Sequence, residues 1–142
     1  MSIDKNTKRN SALLYIGKRI MEDVMNETNE GYIPEVANPR YDIVRKKLEA
    51  LSEEQIGVLQ EMIPWITYGM VMNLLWLFEQ NEDIQLIVEY EGEKINIAEN
   101  SCGLEEELNN WIERFGTYKN YTSVEFEKQF KMSFRDWINR FR

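Results

Sequence analysis

The stretch MIPWITYGMVMNLLWLF, residues 62–78, runs for 17 positions without a charge and is closed by Glu61 and Glu79. A helix needs about 20 apolar residues to cross a bilayer. Here Pro64, Thr67, Gly69 and Asn73 dilute the run, and no Lys/Arg cluster flanks it to orient it. It therefore reads as a helix apolar all round and surrounded by protein. Ser52 and Gln55 form a capping box that opens the helical region, which extends to Gln80. Pro64 removes a backbone donor inside it, which predicts a kink or two helices meeting near Ile63.

Upstream, Ala12, Ile16, Ile20 and Val24 recur every four residues with Leu13 beside them, predicting a helix from about Ser11 to Asn26. Glu27 to Asn38 contains Gly31 and Pro34 and reads as a loop, with Tyr32, Ile33 and Val36 against the core. Asn38 and Pro39 suit an N-cap and a first helical residue, opening a helix to about Leu51 with Val44, Leu48 and Leu51 inward.

Downstream of Asn81 the period becomes twofold. Ile84, Leu86, Val88 and Tyr90 predict a strand, Glu91-Gly92-Glu93 a turn, and Ile95 and Ile97 a second strand, giving a hairpin over 84–98. Two strands alone are marginal in water, so the hairpin needs a helix beneath it or a third strand, which residues 32–37 would supply. Leu104, Leu108, Trp111, Ile112 and Phe115 mark another helix, ended by Gly116. Thr122 with Glu125 is a further capping box, and Phe126, Phe130, Phe134, Trp137 and Phe141 follow in one row. If Ser133 and Asp136 cap a separate final helix, that row is broken at Ser133. The expected fold is α+β, mainly helical, with five or six helices around a buried central helix and one antiparallel β-hairpin. A single domain over 1–142 is expected.

The chain has 142 residues, no histidine and one cysteine. Lacking histidine, it lacks the side chain that most often moves protons near neutral pH and binds transition metals. Cys102 alone cannot build a thiolate metal site or an intrachain disulfide. With no histidine as its base, it reads as an incidental thiol. The glycines form no phosphate loop or dinucleotide fingerprint. No catalytic residue, metal or cofactor is expected, and carboxylate chemistry is the one enzymatic route that composition leaves open. The polar N-terminus lacks a secretory apolar segment, so a cytoplasmic, non-membrane protein is expected.

The net charge is −8. Residues 79–107 carry ten acidic and one basic side chain, whereas 108–142 carry four acidic and seven basic. Acidity is thus concentrated on the hairpin and the helix start after it, where Glu105-Glu106-Glu107 also complements a helix dipole. A small acidic chain without catalytic apparatus is similar in general character to bacterial immunity and inhibitor proteins, a likeness of composition. The expected function is binding or inhibition of a basic protein partner through Glu89, Glu91, Glu93, Glu105, Glu106 and Glu107. The alternative is a nucleic-acid-associated regulator using Lys128, Lys131, Arg135 and Arg142 beside the aromatic row, which the net charge disfavours.

Overall fold

Leu13, Gly17, Met21, Met25 and Asn29 lie four residues apart, and all five are buried. An α-helix advances 100° per residue, so each step of four drifts by about 40° and such a row winds off its partner. The computed structural model, which describes residues 2–119, shows how the drift is absorbed. α1 (Ser2–Ile20) runs through a π-helical segment, Met21–Asn26, into α2 (Glu27–Ala37). The wider i→i+5 turns of the π segment hold one more residue per turn and keep the row facing inward. The buried row lies one position away from the expected one, and Val24 is 47% exposed.

The expected loop over Glu27 to Asn38 is therefore helix. Pro34 lies inside α2 and is exposed, and Asn38 closes that helix instead of opening the next. Residues 32–37 supply no third strand. α3 (Asp42–Leu48) starts later than expected, after Tyr41, and none of its residues is buried. Val44, expected inward, is 42% exposed.

α4 (Glu53–Gln80) opens with the expected capping box: Ser52 Oγ accepts from the Gln55 amide, and Gln55 Oε1 accepts from the Ser52 amide. It continues through buried Pro64 as one helix, so the two-helix alternative does not hold. Thr67, Tyr68, Val71, Met72 and Leu75 form its buried side. The expectation that α4 is buried all round fails, because Met62, Ile66, Met70, Leu74 and Leu77 are 42–68% exposed.

The hairpin pairs β1 (Ile87–Tyr90) with β2 (Glu93–Asn96), shorter than the expected 84–98. Tyr90 stands opposite Glu93, leaving Glu91 and Gly92 as a two-residue turn. Both have positive φ, at 49° and 78°, which matches the right-handed twist of the strands and suits glycine at the second position. Ile97 begins a short helical turn, α5 (Ile97–Asn100), and the expected helix follows as α6 (Leu104–Phe115), ending at Gly116.

Helix contacts set the layers. α2 lies along α4, which also touches the π segment and α6. α1 packs on α6, α5 and β1, so the hairpin sits on a helix, as its marginal size requires. Trp111, Leu104, Leu108 and Ile112 of α6 meet Ala12, Met21, Leu75 and Ile97 in one core. The result is mainly helical α+β with a single antiparallel two-stranded hairpin among the described residues. Among them, no helix is long and apolar enough to cross a membrane.

Candidate functional site

The hairpin has an inner and an outer face. Val88 and Ile95 are buried. On the same side, Tyr90 stacks at a tilt on Tyr15 of α1, with ring centroids 5.8 Å apart. Glu93 shares this side and meets Lys8 of α1 at 3.1 Å. Glu89 points the other way and stands across the ladder from Lys94. Glu91 occupies the turn and is exposed. Two of the three hairpin glutamates thus have a cationic neighbour within the chain.

The first turn of α6 is placed differently. Gly103 precedes the helix with φ 135° and has no side chain to cap it. Glu79, at the end of α4, replaces that cap: its Oε1 accepts the Leu104 amide at 3.4 Å. A carboxylate at a helix N-terminus also meets the positive end of the dipole. Glu79, Glu105 and Glu106 then border a hollow of about 330 Å³ together with Trp76, Gly103 and Asn109. Trp76 is 45% exposed. No lining residue is basic.

Glu107 lies outside this hollow, on the neighbouring flank of α6. Burial raises its pKa above the ordinary carboxylate value, and the charge of Glu106 adds to the rise, with Arg114 opposing. Among the described residues, no group of three or more histidine, cysteine, aspartate or glutamate side chains could hold a metal ion. Cys102 is exposed.

Compared with family models, curated proteins and solved structures, the chain matches none of them. The local geometry therefore carries the functional argument.

The six expected glutamates do not form one surface. Glu93 faces α1, Glu89 and Glu91 lie on the outer face and turn of the hairpin, Glu105 and Glu106 sit beside the end of α4, and Glu107 lies on the neighbouring flank of α6. Glu79 and Trp76 complete the hollow and were not among the expected site residues. Glu79 was visible as the charge closing an apolar run and as the first residue of the acidic segment 79–107, and Trp76 read as core. Their meeting with α6 depends on how two helices 25 residues apart are joined. The alternative basic set, Lys128, Lys131, Arg135 and Arg142, lies outside the described residues.

Proposed function

We propose that this chain is a protein-binding module that takes a basic side chain of its partner into the hollow formed by Glu79, Glu105, Glu106 and Trp76. One observation carries the proposal: three glutamates from two helices line one hollow beside a half-exposed tryptophan, with no basic residue in the lining. A lysine or arginine head entering there gains charge attraction on one side and the indole face on the other. Glu89 and Glu91 extend the negative field and steer the approach, while Glu93 is already engaged by Lys8. The acidic balance of residues 79–107 supports inhibition of a basic partner as the outcome of such binding.

Affinity capture with the full chain tests this. Proteins retained at low salt and released at high salt are expected, and Glu105→Lys with Glu106→Lys is expected to abolish their retention. Trp76→Ala is expected to weaken it about fivefold, corresponding to the ~1 kcal/mol of an exposed cation–π contact. Retention unchanged by the double charge reversal, in protein that unfolds like wild type, would exclude the hollow as the binding site.

A further inference from the structure

The side of α4 turned away from the core carries Met62, Ile66, Met70, Leu74 and Leu77, all substantially exposed. Their steps of four, four, four and three keep them within about 120° of arc, over a length of about 23 Å. A contiguous apolar strip of that extent is unusual on a soluble monomer and marks a contact surface. Beside it lies a groove of about 770 Å³, bounded by Tyr32 and Val36 of α2, Val44 and Leu48 of α3, and Ile66 and Met70 of α4.

We propose that residues 120–142 of the same chain occupy this strip and groove, laying the aromatic row Phe126, Phe130, Phe134, Trp137 and Phe141 along α4. The two rows match in length: each spans 16 residues at helical spacing. The described chain also ends in reach. Thr117 donates its amide to Asn26 Oδ1 at 3.0 Å, and its hydroxyl lies 3.3 Å from Glu30 Oε1. At 100° per residue, Glu30 points about 160–200° away from Thr28 and Tyr32, which border the groove. The chain must therefore pass around α2, a half-circumference of roughly 17 Å for a helix 10–12 Å across. Residues 118–125 reach up to about 27 Å when extended, which is sufficient. Charge favours the same approach, since residues 48–78 carry four acidic and no basic side chains, whereas 120–142 carry five basic and three acidic.

Limited trypsinolysis of the full-length protein tests the proposal at Lys128, Lys131 and Arg135. Cleavage at these sites is expected to be at least about tenfold slower than in a synthetic peptide of residues 120–142, at any protein concentration. Ile66→Asp with Met70→Asp alters exposed side chains and is expected to restore peptide-like cleavage, while the amides of α6 keep their protection from hydrogen exchange. In a second variant, Phe130→Asp with Phe134→Asp, peroxide oxidation of Met70 is expected to rise several-fold over wild type. Peptide-like cleavage in the wild type would overturn the proposal, as would Met70 oxidation unchanged in the second variant. Protection that disappears on dilution together with a dimer would assign the strip to a second copy and overturn it as well.

Discussion

Gly17 shows how a single residue sets a helix contact. A Cβ built at this position would overlap the Trp111 indole, so α1 approaches α6 only because position 17 lacks one. Gly17→Ala is expected to destabilise the protein, because overpacking costs about 1–3 kcal/mol and outweighs the ~1 kcal/mol gain in helix propensity. A lowered urea midpoint with an unchanged slope would show it; an unchanged or raised midpoint would contradict it. Asn26 acts across a similar distance. Its Nδ2 donates to the Phe115 carbonyl at 2.9 Å while its Oδ1 accepts the Thr117 amide at 3.0 Å, clipping the end of α6 to the π segment. Asn26→Ala is expected to cost about 1–2 kcal/mol, the loss of one partly buried and one exposed hydrogen bond. It should also accelerate hydrogen exchange at the Thr117 amide, whereas equal protection in the variant would refute the clip. Neither role was legible in the sequence, since a helical glycine reads as a propensity cost and an asparagine as a cap, and their partners lie about 90 residues away.

The elements differed in how plainly their residues announced them. α6 was legible because Leu104, Leu108, Trp111 and Ile112 are all buried on one side, Phe115 packs beside them, and its other residues are polar. The hairpin was legible from alternation, although Ile84 and Leu86 fell outside the strands. α2 was not, because Gly31 and Pro34 argue for a break, and packing along α4 overrides that local preference. One contact there is Thr67 Oγ1 donating to Asn29 Oδ1 at 2.8 Å, joining the buried polar pair. The hydrophobic period misled for α4 as well, since an all-apolar sequence does not reveal which side the core takes. The π segment yields a prediction of its own. A π turn is an α turn with one residue added, so deleting exposed Glu22 should convert it to α-helix and leave α1 and α2 facing as before. Deleting exposed Glu61 from α4 should instead rotate one half of that helix by about 100° against the other and pull core residues out. The first variant is expected to unfold cooperatively in urea, and the second to lose cooperative unfolding. Equal damage from both deletions would show that the π segment does not accommodate the row of buried residues.

Across the whole molecule, the balance of 25 acidic against 17 basic side chains makes stability depend on pH in two opposed ways. Glu107 has a folded pKa above its ordinary value. Folding therefore favours its protonated form, and stability rises as pH falls from neutral through the raised value toward the ordinary one. Glu35 has its pKa lowered, chiefly by the Arg40 amide, with the Arg40 side chain adding to the effect. Its contribution is present above the ordinary carboxylate value and is lost as pH falls from there through the lowered one. Relief of net negative charge acts in the same direction as Glu107, but salt screens that repulsion far more than it alters burial. Urea unfolding at high salt across a pH series should therefore retain a stability maximum on the acid side of neutrality. Glu107→Gln should flatten the rise above the maximum, and Glu35→Gln should flatten the fall below it. A rise that vanishes in salt and survives Glu107→Gln would assign the effect to overall repulsion instead of to burial at the start of α6.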